Sequence, residues 1–198
     1  MIDLNKLNPE QKQAVLTTEG PLLILAGAGS GKTRVLTYRA AYLLEKGVPP
    51  WAILAITFTN KAAREMRERI NRLAGEAEDD MWVMTFHALS ARILRRDIEK
   101  LGYKREFSIY DDDDQMTLIK RILKKLDISD KSYPPRAVKS VISDAKNHML
   151  SPEEWLKDNP DFRSKPYYRA YCEYEKELKE NNALDFDDLL VRTLELFA

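Results

Sequence analysis

The chain has 198 residues, 44% hydrophobic and 32% charged, with 32 basic against 32 acidic side chains, enough for one domain, or a domain with an insertion, around a sizeable core. Its single cysteine, Cys172, excludes an internal disulfide and fits a reducing, cytoplasmic setting, while two histidines, His87 and His148, are too few for a Cys/His zinc cluster. The longest wholly apolar stretch, Pro21 to Gly27, is too short to span a bilayer, and no signal-peptide pattern precedes it.

Asn8-Pro-Glu-Gln predicts a short helix, with Asn8 as N-cap and Pro9 at the first helical position. Pro21 to Gly27 is a continuous apolar run of strand length, which suits a strand buried on both faces of a parallel sheet. Lys32 to Lys46 carries a helical stripe at Leu36, Ala40, Leu43 and Leu44. The unit then repeats: Ile53 to Thr59 is strand-like and precedes a helix with Ala63, Met66, Ile70 and Leu73 on one face. Trp82 to Phe86 is a third strand before a helix through Leu89, Ile93 and Leu94. Three strand–helix alternations predict an α/β fold around a parallel sheet, with ligands at the carboxyl ends of the strands.

Past Phe107-Ser-Ile-Tyr the character changes. Segments 112–126, 136–147, 151–157 and 167–181 all read as helices separated by proline-bearing turns, so 108–182 is predicted to be a helical subdomain without strands. A last amphipathic helix opens at Leu184-Asp-Phe-Asp-Asp. Charge is divided unevenly: 32–105 has 15 Lys and Arg against 9 Asp and Glu, and 106–198 has 15 against 20, which places any polyanion site in the first half.

Ala26-Gly27-Ala28-Gly29-Ser30-Gly31-Lys32-Thr33 fits the phosphate-loop pattern, with Ala26 in place of the first glycine, between a strand and a helix. Glycines at 27, 29 and 31 are expected to take positive φ and bring backbone N–H groups to phosphate oxygens, helped by the helix N-terminus. Lys32 is expected to reach the outer phosphates and the Thr33 hydroxyl to ligate Mg²⁺, making these two the catalytic candidates for a nucleoside triphosphate, ATP above all.

This loop resembles that of superfamily 1 DNA helicases of the UvrD/PcrA/Rep type, and further segments match the family in order and spacing. Leu7-Asn-Pro-Glu-Gln11 resembles the Q motif, which implies that the Gln11 amide reads adenine. Arg34 resembles the residue that packs on the adenine face. Thr57-Phe58-Thr59-Asn60-Lys61 resembles the motif lying along single-stranded DNA; Phe58 offers a stacking face, and Thr59, Asn60, Lys61 and Arg64 are phosphate candidates. The bland alternative puts Phe58 in the core and Asn60 at the helix cap. Thr85-Phe86-His87 resembles another DNA-contacting motif, although a lone histidine there also reads as a packing residue.

The acidic clusters Asp111 to Asp114 and Asp185 to Asp188 read most simply as helix starts. By resemblance, the fold is a RecA-like P-loop sheet, incomplete, with an inserted all-α subdomain: 1–107 is the first part of motor domain 1A, 108–182 subdomain 1B and 183–198 the return to 1A. Subdomain 1B would face duplex DNA through Lys120, Arg121, Lys124 and Lys125, or Arg136 and Lys139. The implied activity is 3′-to-5′ DNA unwinding driven by ATP at a single-strand/duplex junction, in repair or related DNA metabolism. No apolar strand ends in the Asp-Glu pair that would hold Mg²⁺ and orient water, so the chain is expected to be an N-terminal fragment that hydrolyses ATP negligibly alone. The alternatives are another P-loop NTPase or kinase, or a non-catalytic nucleotide-binding module.

Overall fold

In the computed structural model, which describes residues 2–75 and 80–198, the chain divides into two units, Met1–Phe86 and His87–Ala198. The first unit starts with helix α1, Pro9–Leu16, whose Asn8 cap is reciprocal: the Asn8 side chain accepts from Gln11 N–H and the Gln11 side chain accepts from Asn8 N–H. Helix α2, Lys32–Glu45, follows the phosphate loop. Strand β1, Leu54–Thr57, leads into α3, Asn60–Ala74, and strand β2, Trp82–Thr85, into α4, Phe86–Asp97. The two strands pair in parallel, with Leu54 opposite Trp82 and Thr57 opposite Thr85.

Of the helical stripes read from sequence, Ala40, Ala63, Met66, Ile70 and Leu94 are buried, whereas Leu36 is exposed and α2 turns Val35, Tyr38 and Ala41 inward instead. Ala40, Ile53, Met66, Ile70, Met81 and Val83 form one cluster beneath the two strands' helices. A second gathers Val15, Val35, Tyr38 and Ala41 between α1 and α2. Burying a side chain such as Ile70 contributes about 1.5–3 kcal/mol. The Arg39 guanidinium fastens α1 to α2 by donating to the Ala14 carbonyl, 2.8 Å away, and to that of Thr17.

One strand expectation fails. The run 21–27 has no strand neighbour among the described residues, and Leu23 and Leu25 are 81% and 87% exposed. A fully buried strand needs partners on both edges and layers on both faces, and only the second and third expected strands find each other.

In the second unit, prolines stand in the first turns of α6 (Pro135–Asn147), α7 (Pro152–Asp158) and α8 (Lys165–Glu180), where a missing N–H costs no hydrogen bond. With α5, Asp112–Lys125, they enclose a core that includes Leu118, Ile122, Ile142, Tyr174 and Leu178. The segment is not strand-free as expected. Ser108–Ile109 (β3) pairs in parallel with Ala183–Leu184 (β4), so the chain enters and leaves the helical part side by side. Asn182, at φ +48°, makes the turn out of α8, and the last helix, α9, runs over Phe186–Phe197. Among the described residues, no helix is long and apolar enough to cross a membrane.

Candidate nucleotide and nucleic-acid site

Two of the three loop glycines behave as the sequence predicts. Gly29 and Gly31 lie at φ +77° and +88°, but Gly27 is not in the left-handed region. Gly31 is the N-cap of α2 and makes no side-chain cap bond, so the first-turn N–H groups have no side-chain acceptor from that position. That suits an anion. The loop is braced internally: Ser30 Oγ donates to the Gly27 carbonyl at 2.7 Å, and Lys32 Nζ donates to the carbonyls of Ala26 and Gly27 at 2.8 and 3.0 Å. The ammonium thus already lies over the loop, while Thr33, the second residue of α2, is exposed.

Arg34 lies near the Tyr38 ring, 5.7 Å from its centroid. With Thr37, Arg69, Arg72 and Leu73 these residues line a cleft of about 320 Å³. Arg69 and Arg72 stand four residues after Glu65 and Glu68, the spacing of helix surface pairs. Arg69 does sit 3.6 Å from Glu65, but Arg72 Nε donates to the Glu68 backbone carbonyl. Only the packing of α3 on α2 brings both to Arg34.

Parallel pairing of β1 and β2 puts the residues that follow them at one end. Phe58 and Phe86 meet there, ring centroids 5.6 Å apart and planes inclined by 45°. Phe58 is 86% exposed, so it is not the core residue that the bland reading made it. Thr59, not Asn60, caps α3: its hydroxyl accepts from Ala62 N–H at 3.1 Å, and Asn60 is the first helical residue. Asn60, Lys61 and Arg64 are exposed along the start of α3, whereas Thr85 is buried at the end of β2. His87, in the second unit, packs edge-on against Phe186 at 5.9 Å.

Both acidic clusters cap helices. Asp111 accepts from the N–H groups of Asp113 and Asp114 at 2.9 Å, and Asp185 accepts from Asp188 N–H at 2.8 Å, each with the reciprocal bond. The second cap has a further partner that the sequence reading missed. Lys146 Nζ lies 2.8 Å from Glu175 and Asp188 and 2.9 Å from Asp185, with its side chain 2% exposed. Tyr174 donates to Asp185 at 3.0 Å, and Arg192 lies 2.6 Å from Glu175. The signal was present: Lys146 falls on the stripe Val138, Ile142, Ala145, where an amphipathic helix is otherwise apolar.

Three carboxylates thus face two cations. Burial pushes the Asp188 carboxyl up to about 7, against the pull of Lys146. Burial also opposes ionisation of Asp185, but the charge and hydrogen bond of Lys146 outweigh it and hold that carboxyl below its usual range. An unfolded aspartate titrates near about 3.9. The Asp188 proton therefore favours the fold below about pH 4, and this contribution is lost as pH rises through about 7. Asp188→Asn should gain stability relative to the parent across that window and level off above it. Urea midpoints at several pH values check this, and parallel curves for the two proteins would refute it.

Several basic residues of the helical part are already paired. Arg121 meets Glu177, Lys125 meets Glu173 and Glu177 at 2.6 and 3.2 Å, and Lys139 meets Asp112.

The family model described as the UvrD/REP helicase N-terminal domain matches residues 7–198. The chain is 53% identical over 195 residues to the ATP-dependent DNA helicase PcrA of Bacillus subtilis, covering 98% of this chain and 26% of that protein. It is 51% identical to the protein of the same name from Staphylococcus aureus strain Mu50, again over 98% of this chain and 27% of the relative. The chain spans about a quarter of the length of these curated relatives.

Proposed function

The chain belongs to the UvrD/REP helicase N-terminal domain family, and from that premise we propose that it is the nucleotide- and DNA-binding part of a cytoplasmic ATP-dependent DNA helicase. Residues 26–33 hold the ATP phosphates, with Lys32 on the outer phosphates. Thr33 takes Mg²⁺, whose charge offsets that of the phosphates. The uncapped start of α2 and the lysine already folded over the loop support this. Gln11 reads adenine, and the cleft of Arg34, Tyr38, Arg69 and Arg72 offers guanidinium faces for the base.

Single-stranded DNA runs over Phe58 and Phe86, with Thr59, Asn60, Lys61, Arg64, Thr85 and His87 as further contacts. The assignment of 1–107 and 183–198 to a RecA-like P-loop motor domain and of 108–182 to an inserted helical subdomain belongs to the same proposal. So do 3′-to-5′ unwinding at a single-strand/duplex junction and negligible ATP hydrolysis by these 198 residues alone, whose sequence has no Asp-Glu dipeptide.

The observation that carries the DNA assignment is the meeting of two aromatic rings, 28 residues apart in sequence, at the end of one parallel ladder. Stacking a base on an aromatic ring is worth about 1–3 kcal/mol. Phe58→Ala should therefore weaken binding of a fluorescent oligothymidylate by about fivefold to a hundredfold. The salt dependence should stay unchanged, because no phosphate contact is removed. Anisotropy titrations at three salt concentrations test this; unaltered affinity in the variant would remove Phe58 from the DNA path.

A further inference from the structure

The Gln11 side chain is engaged on two sides. Its Oε1 accepts from Asn8 N–H at 3.2 Å, completing the cap of α1, and its Nε2 donates to the Ser30 carbonyl at 2.9 Å, 19 residues away in the phosphate loop. Ser30 bonds Gly27, whose carbonyl also takes the Lys32 ammonium. A hydrogen-bonded path therefore runs from the α1 cap through Gln11, Ser30 and Gly27 to Lys32. Gly31 fits this contact closely: a Cβ there would lie 2.8 Å from Gln11 Nε2, in addition to the strain of a side chain at φ +88°.

An amide has two N–H donors and two carbonyl lone pairs. The cap uses one lone pair and the loop one N–H, so one of each remains. That pair is what a bidentate contact to a purine edge requires, and making it need not break the bond to Ser30.

We propose that Gln11 is a positioning residue for the phosphate loop as well as a reader of the base, its amide latching the Ser30 carbonyl and coupling occupation of the base position to order in the loop. The base-reading half rests on the function proposed above; the latch does not.

A ligand without a base separates the two. Gln11→Ala should weaken binding of Mg²⁺·tripolyphosphate by about threefold to tenfold, the effect of losing one hydrogen bond that orders the site. Amide hydrogen exchange across 29–32 in the unliganded chain should quicken by a similar factor. Gln11→Glu keeps an acceptor for Asn8 N–H but has no N–H for Ser30, so it should show the same faster exchange with the α1 cap intact. It covers the case in which the alanine variant unfolds.

Tripolyphosphate affinity and loop exchange that stay at parental values while ATP affinity falls would overturn the latch and leave the base reading standing. The reverse pattern, with tripolyphosphate affinity reduced and the preference for ATP over GTP retained, would support the latch and remove Gln11 as the base reader. If none of these quantities moves, both assignments fall.

Discussion

Lys146→Met should destabilise the helical unit by about 3–5 kcal/mol, the cost of removing one partner from a buried ionic cluster. The methionine fills nearly the same volume, so packing changes little. Electrostatics changes a great deal. Lys146 is the cation that meets Glu175, Asp185 and Asp188 together, and burial works against its charge less than those carboxylates favour it, holding its pKa well above the ordinary lysine value. Without it, Glu175 and Asp188 keep Arg192, and Asp185 keeps only the neutral Tyr174 hydroxyl beside its cap bonds.

They can escape by taking protons, so the loss should be largest above neutral pH and shrink toward pH 4–5, where carboxyl groups protonate readily. An exposed pair serves as the control: Lys176 lies 3.9 Å from Glu180 with both side chains about 60% exposed. Lys176→Ala should cost no more than about 0.5 kcal/mol, as for exposed helix pairs. Urea unfolding of the two variants at pH 5 and pH 8 measures both effects. A Lys146→Met cost no larger than that of the surface control, or one independent of pH, would show that the cluster contributes little to stability.

The second large effect concerns the phosphate loop. Lys32→Ala should lower Mg²⁺·ATP affinity by about tenfold to a hundredfold, the equivalent of losing one charge-assisted contact worth about 1.5–3 kcal/mol. Two physical effects add. The ammonium no longer meets phosphate, and the carbonyls of Ala26 and Gly27 lose the donor that they have in the unliganded loop. Lys32→Arg should not restore binding, because a planar fork cannot replace a compact ammonium where it must fold back over a six-residue loop. Titration of a fluorescent ATP analogue measures the change; affinity within twofold of the parent would exclude Lys32 from phosphate binding.

Local elements were read well because their causes are local. Asn8, Asp111 and Asp185 sit as caps because each side chain bonds N–H groups two or three residues on. Thr59 displaced Asn60 as a cap for an equally local reason, since either residue could have capped α3 and the hydroxyl one position earlier reached Ala62. The apolar run at 21–27 has the composition of a strand but forms none, because strand formation depends on neighbours, which a single segment cannot supply.

The phosphate-loop motif, its place between an apolar run and a helix, the caps and the helical stripes were determined by the sequence itself, since each depends on atoms within about one turn of chain. Tertiary structure decided the rest. Parallel register made Phe58 and Phe86 neighbours, packing of α3 on α2 brought Arg69 and Arg72 to Arg34, and the approach of α1 to the loop joined Gln11 to Ser30. It also turned Lys146 inward to three carboxylates drawn from α8 and the start of α9. Ion pairs and ring contacts act over a few ångströms of space, whatever the distance along the chain, so only the fold could select these partners.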